Sequence, residues 1–479
     1  MSSISFITKT LKFSFVTIIS FVISFIAIPI STRIYSPDQL GHINLFNTTS
    51  SLCLYFVLFG VDQSFFRFYH EPPQNISLKS FFTYCLKITA LIYLIFILLS
   101  FFLRQYLILI ISDENQLLVY FLLCINVMAM TILRYSALKY RLEQNALQYS
   151  LQGIFILMIS KLILILTGLI KPNYFLFLII MNISLFVLSL FYLFFQIMRF
   201  YDFNHHVINS AVATEIFKYA APLMPLTLIA WFNESVSNLI LRYNLGFGEV
   251  GIYTSGVAVA SLITIVQTGF NTYWGTYVYE NYKTDNTRIQ LVNKYITFLL
   301  VTFAIFIMLF QDLIYLIIGP KYYASKLFFA FLIISPICLT IADTTGLGID
   351  ISKKSYLHLI STSLSAFTNL FLCILLLPIW GMTGAAISAA ISGLVMLAAR
   401  TIIGEKHYKC VQNYQLLIVS IIILSLASAI SFIFNDELYK RTFILIPLTL
   451  MMFLLYKNEA FKLIRDFKTI FWNTGKRSC

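Results

Sequence analysis

The sequence predicts an all-α polytopic membrane protein with about 14 transmembrane helices. Three observations carry that expectation. Of the 479 residues, 59% are hydrophobic and only 11% charged. The mean hydropathy is +0.85. Apolar runs of spanning length recur along the whole chain. A soluble globular chain carries roughly a quarter of its residues as charges. In lipid a backbone must satisfy its own hydrogen bonds, which a helix does with about 20 mainly apolar residues.

The runs fall at 11–31, 40–60, 81–103, 116–138, 147–170, 173–197, 216–243, 249–272, 292–318, 326–350, 355–378, 381–403, 414–434 and 441–457. The first has no small-residue cleavage site after it and continues into "IPISTRIYS", so it reads as a retained helix rather than a signal peptide. The net charge of +13 raises the question of an acidic partner such as nucleic acid. Topology answers it instead. With the N-terminus in the cytoplasm, 23 of the 33 Lys and Arg fall in inner segments and eight in outer ones, while Lys87 and Lys161 lie inside spans. That bias follows the positive-inside rule and returns the C-terminus to the cytoplasm.

Enzyme signatures are missing. The chain has no Walker-type phosphate loop, and its six His show no helical pairing suited to a metal. Seven Cys, without a CxxC pair and mostly in apolar context, read as small packing residues. Neither cofactor nor metal is indicated. The longest loops reach about twenty residues, so no large water-exposed domain is expected.

Internal repetition sets the organisation. "RIYSPDQLG" from Arg33 leads into the second span and "RYNLGFGEVG" from Arg242 into the eighth. Arg33 and Arg242 are 209 apart, Gly41 and Gly251 210, Gly60 and Gly269 209, and Tyr69 and Tyr279 210. A shared offset implies two six-helix lobes of the same direction, 1–200 and 201–410, a plan that puts a substrate path between them. The segment 411–479 then supplies two additional helices and a basic cytoplasmic tail.

Ionisable residues inside spans are costly and usually face a cavity. Lys87 lies near the cytoplasmic end of its helix, where its stem can snorkel. Lys161, in "LMISKLILIL", lies about ten residues, roughly 15 Å, from the outer end. Glu234 is similarly deep in span seven, and Asp343 sits nearer the cytoplasmic end of span ten. Two readings stand: Lys161 and Glu234 form a structural pair, or Lys161 meets an anionic substrate while Glu234 takes a proton. Trp231, one turn before Glu234, either packs or stacks on a sugar ring. Pro222 and Pro225 free carbonyls where span seven begins and are hinge candidates. Gly381, Ala385, Ala389 and Gly393 form a small-residue stripe for close helix packing.

In order along residues 8 to 410, "YSPDQLGHINLFN", "FGVDQSFFRFYHE", "APLMPLTLIAWFN", "LILRYNLG", "VGIYTSG", "IIGPKYYAS", "ISKKSY" and "NLFLCILLLPIWGMTGAAISAAIS" make the chain resemble the Wzx-type polysaccharide flippases. These belong to the superfamily of multidrug, oligosaccharidyl-lipid and polysaccharide exporters. The chain departs from that pattern in span seven. Relatives often carry Asp-Arg there, and this sequence has Ser237-Asn238, with Glu234 about one turn earlier. The resemblance implies a V-shaped, often cationic central cavity between the lobes. It implies as substrate an O-antigen or other surface-polysaccharide repeat unit on undecaprenyl diphosphate, moved to the periplasmic leaflet of a bacterial inner membrane. H+ or Na+ would be the coupling ion, membrane lipid the surroundings, and the pathway's polymerase and chain-length proteins the partners. On this reading Arg67, at the cytoplasmic end of span two, is a first contact for the diphosphate. A structural contact of Asp62 with Arg67, or a contact of Arg67 with lipid, is the alternative. Two rival functions stay open, a multidrug or cation antiporter of the same superfamily and a non-transporting polysaccharide polymerase. The first wants acidic cavity residues, and the second usually has a large periplasmic loop.

Overall fold

The computed structural model describes residues 19–20, 22–69, 72, 76–113, 116–200, 210–352, 354 and 356–459. Part of the first expected span, Lys353, the His70-Glu71 end of the aromatic motif and the basic tail from 460 lie outside the described residues. Among those described there are helices and no strands. The chain forms two compact units, 1–254 and 255–479. The first unit takes in helices beyond residue 200, so packing units and repeat lobes divide the chain differently.

The first unit contains α1 (Val22–Ile34), α2 (Pro37–Leu58), α3 (Val61–Arg67), α4 (Leu78–Phe102), α5 (Arg104–Ile111), α6 (Leu117–Leu142), α7 (Ala146–Ile170), α8 (Tyr174–Phe200), α9 (Ser210–Asn244) and the start of α10 (Phe247–Ala260). Helix α2 begins where its sequence says it should. Ser36 and Gln39 form a reciprocal capping box, with Pro37 in the first turn. Phe59 and Gly60 then take left-handed backbone, φ 46° and 77°, and α3 leaves at 59° to α2. Gly60 tolerates this without strain, whereas Phe59 must be held there by its surroundings. The core around α2 is built from Phe46, Cys53, Val57, Leu123 and Leu178, all almost fully buried.

The repeat positions meet in this unit. A Cβ on Gly41 would lie 1.9 Å from the Phe247 carbonyl oxygen, and one on Gly251 would lie 1.9 Å from that of Pro37. Asn44 donates its amide N–H to Thr254 Oγ1 at 2.6 Å. Pro37 and Phe247, Gly41 and Gly251, and Asn44 and Thr254 are each 210 residues apart. Matching turns of α2 and α10 therefore press against one another at backbone distance, which only glycine permits.

The second unit contains α11 (Thr264–Asn281), α12 (Asn286–Leu309), α13 (Gln311–Ile317), α14 (Phe329–Thr345), α15 (Leu347–Ile351), α16 (Tyr356–Glu405), α17 (Tyr414–Ile433) and α18 (Leu438–Leu455). The 50-residue α16 is interrupted at Gly381, with φ 55° and ψ −135°. Its two arms fold back on each other: Ser365 Oγ donates to the Ser392 carbonyl at 2.9 Å. In the small-residue stripe, Gly393 packs against α14, since a Cβ there would meet Ser335 Cα at 2.7 Å. Helices α17 and α18 pack on α12, and α17 also on α14. Fully buried Arg441 of α18 pairs with Asp312 of α13.

Eight described helices are long and apolar enough to cross a bilayer, or ten when two bent pairs each count as one span. The count of fourteen is not reached, for identifiable reasons. The two expected spans at 355–378 and 381–403 are joined in α16. The eighth is cut by a 3-10 turn at Ser261–Ile263. Span seven, α9, carries Glu215, Lys218, Glu234 and Arg242 among its apolar residues, and only part of the first lies among the described residues. Many large apolar side chains face outward, Leu98 at 67% and Phe102 at 80% exposed among them. This chain is a multi-pass membrane protein, and outward apolar side chains are what helices in contact with lipid present. The six described cysteines are all buried, as small packing residues should be.

Candidate functional site

On α2, Asn44, Thr48, Ser51 and Tyr55 recur at three- and four-residue spacing and so share one face. Trp231 of α9 docks on that face. Its indole N–H donates to the Thr48 carbonyl at 3.2 Å and to Ser51 Oγ at 3.0 Å. With the side chain 8% exposed, this indole is a packing contact between α2 and α9.

Below it, the bend after Phe59 buries Asp62 in the first turn of α3, 3% exposed. The carboxylate does not pair with Arg67. Asp62 Oδ2 instead accepts from Arg134 Nε at 3.1 Å and from Gln63 Nε2 at 2.9 Å, with Arg134 Nη2 at ion-pair distance, 3.1 Å. Burying a carboxylate this way requires such donors. The Arg134 side chain stays 44% exposed. Tyr55 lies within electrostatic reach of Glu234, Arg134 and Asp62, and Glu234 is exposed. Helices α3 and α6 thus bring one carboxylate and one guanidinium together, with Tyr55 of α2 within electrostatic reach of both and of Glu234 on α9. Asp62 holds one edge of Arg134 through the Nε hydrogen bond and the Nη2 ion pair, which leaves Nη1 to an incoming acceptor. A planar guanidinium suits phosphate or carboxylate.

The other expected residues lie apart from this cluster or join it loosely. Arg67 is exposed at the end of α3, its guanidinium carbon 5.8 Å from the Phe68 ring centre. Lys87 on α4 is half-buried. Lys161 is half-buried on α7, a helix that packs on α6 and α8. Among the described residues no ion pair joins Lys161 to Glu234. Pro222 and Pro225 lie inside α9, which continues through both.

In the second unit, Asp343 pairs with Arg400 at 2.9 Å and His358 with Asp350 at 2.8 Å. Both pairs line a cleft of about 180 Å³ together with Trp274 and Tyr279. Sequence reading passed over Arg134 and Arg400 as members of basic inner ends. Both fall within the runs expected to span, at 116–138 and 381–403, and that position was the available signal. Among the described residues no group of three or more His, Cys, Asp or Glu is placed to hold a metal ion.

Helices of spanning length with ion-paired polar groups between them define a multi-pass membrane protein. The fold is shared with a solved lipid II flippase MurJ in an inward closed conformation. The TM-score is 0.69 at 17% identity, covering 93% of this chain and 99% of that one. An inward-facing multidrug resistance MATE family transporter of the MOP superfamily aligns with TM-score 0.60 at 15% identity, over 82% of this chain and 97% of that one. No curated protein sequence matches the chain. A family model described as polysaccharide biosynthesis protein matches residues 6–274, more than half the length. The chain belongs to that family.

Proposed function

We propose that this protein is a Wzx-type flippase. It carries a repeat unit of O-antigen or a related surface polysaccharide, linked to undecaprenyl diphosphate, from the cytoplasmic to the periplasmic leaflet of a bacterial inner membrane. Both termini are cytoplasmic. The observation that carries the reading is the family membership over residues 6–274, and the half-exposed Arg134 held by buried Asp62 supports it. A diphosphate is a dianion with bidentate oxygen edges, and a guanidinium fixed in orientation is its natural partner.

Arg67, Lys87 and Lys161 add positive charge along the route. Glu234, exposed and within electrostatic reach of Tyr55, is the carboxylate that exchanges H+ or Na+ as substrate charge arrives and leaves; Asp343 is the second coupling candidate. Pro222 and Pro225 give α9 the bending freedom that alternating access needs. The polymerase and chain-length proteins of the same pathway take the product.

Deletion of the gene should abolish mature surface polysaccharide and leave lipid-linked repeat units on the cytoplasmic face. The check is polysaccharide electrophoresis combined with leaflet-selective labelling of the lipid-linked pool. Normal polymer in a deletion strain lacking other flippases would refute the proposal.

A further inference from the structure

The cleft of about 180 Å³ in the second unit is lined by groups whose hydrogen bonding is unfinished. Asp343 of α14 and Asp350 of α15 are each held by a basic side chain of α16, Arg400 and His358. Asp343 stands 209 residues after Arg134, the repeat offset. The position that offers a guanidinium in the first unit therefore offers a carboxylate, already paired, in the second. Asp350 accepts from His358 Nε2 through Oδ1 at 2.8 Å, which leaves Oδ2 as an acceptor on a side chain 38% exposed. With Nε2–H given to the carboxylate, Nδ1 of the neutral imidazole is an acceptor too. Both that Nδ1 and Nε of Arg400 are buried without a hydrogen-bond partner.

Buried polar atoms left unmet are disfavoured, so the lining suits a ligand that finishes these bonds. A cation could donate to Asp350 and His358 but has nothing for the Arg400 N–H. An anion could accept from Arg400 but would meet two carboxylates. A hydroxyl does both, donating to one group and accepting from the other. The remaining walls are aromatic. Trp274 stacks with Phe270 and Tyr277, ring centres 5.1 and 6.2 Å away, and its indole N–H donates to the Asp343 carbonyl at 3.4 Å, so it forms a fixed floor. Tyr279 is 60% exposed and presents an open ring. Between them Gly275 leaves space, since a Cβ there would meet nothing within 4 Å. Hydroxyls on one edge and an apolar C–H face for an aromatic ring are together the chemistry of a sugar. The volume is below the roughly 300 Å³ at which pockets for drug-sized ligands begin, which suits one ring rather than an oligosaccharide.

We propose that this cleft binds one sugar ring of the transported repeat unit. Its hydroxyls bridge Asp350, His358 and Arg400, and its C–H face lies on Tyr279. That the ring belongs to a repeat unit rests on the flippase reading; the site itself does not. Saturation-transfer NMR on the full-length protein in detergent tests it. The probes, titrated separately, are the methyl glycosides of glucose, galactose, mannose and N-acetylglucosamine, then tetraphenylphosphonium and sulfate. At least one glycoside should bind the wild type. Tyr279→Ala removes an exposed ring and should weaken that glycoside about tenfold, whereas Tyr279→Phe should retain it. Asp350→Asn keeps an acceptor for His358 and turns the other oxygen into a donor, so it should also lose about tenfold. Absence of binding by every glycoside would overturn the site, as would equal glycoside binding in wild type, Tyr279→Ala and Asp350→Asn. Displacement of the glycoside by tetraphenylphosphonium or by sulfate would overturn it in favour of an ion site. The gene-deletion phenotype judges the flippase reading without reference to this cleft, so the two failures are told apart.

Discussion

Arg134 and Glu234 are the residues on which the transport proposal turns, and they should respond differently to substitution. Arg134 presents a flat donor edge whose orientation is set by Asp62 at 3.1 Å. Arg134→Lys keeps the charge and loses the fork, so it should retain part of the activity. Arg134→Ala should lose about tenfold or more, the scale of one charge-assisted hydrogen bond. Glu234→Gln keeps shape and removes ion exchange, so turnover should fall further than the amount of folded protein. Complementation of a flippase deletion, normalised to membrane-inserted protein, measures all three. Full activity in Arg134→Ala and Glu234→Gln at normal abundance would reduce both to bystanders. At this scale the sequence revealed which residues were out of place in an apolar run, Lys161 and Glu234 among them, and little about their neighbours. Asp62 and Arg134 are 72 positions apart, and Asp343 and Arg400 are 57 apart. Helical spacing identifies neighbours three or four residues away, so pairings across helices stayed hidden.

Among elements, the pair α17 and α18 shows how a segment without a repeat counterpart is tied in. Arg441, with no exposed side-chain surface, meets Asp312 and donates Nη1 to the Asn435 carbonyl at 2.8 Å. Lys326 adds a second cation to Asp312 at 2.8 Å. Asp312→Ala strands the buried guanidinium and should cost about 3 kcal/mol, as removal of one partner from a buried pair does. Lys440→Ala, from a mostly exposed pair with Glu437, should be close to neutral. Thermal unfolding of the purified variants in detergent compares them, and equal effects would refute the anchoring role. Element identity was largely legible because lipid leaves a helix as the way to satisfy an isolated spanning backbone. The expected boundary between 378 and 381 also matches the break in α16 at Gly381, where Pro378 and Gly381 announce a turn. The bend after α2 was less legible. Gly60 marks it, but the left-handed conformation falls equally on Phe59, whose side chain gives no hint of it.

For the whole molecule, the distribution of Lys and Arg decides orientation. Reporter fusions after Lys79 and Arg141 should read as cytoplasmic, and fusions after Lys171, Lys321 and Asp436 as periplasmic. An inverted pattern would reverse the proposed direction of transport. The contact between α2 and α10 bears on a longer history. Each glycine abuts the first-turn carbonyl of the other helix at 1.9 Å from where a Cβ would be, and Asn44 bonds to its own positional equivalent, Thr254. Residue touching counterpart, with the roles exchanged on the other side, is the form of an isologous dimer interface. A duplicated and fused gene would inherit such a contact already closed, and its two copies could then drift apart, as asparagine and threonine have. The glycines are not free to drift in that way. A methyl group added to either meets backbone rather than a side chain that could shrink, so no single exchange on the opposite helix can make room for it.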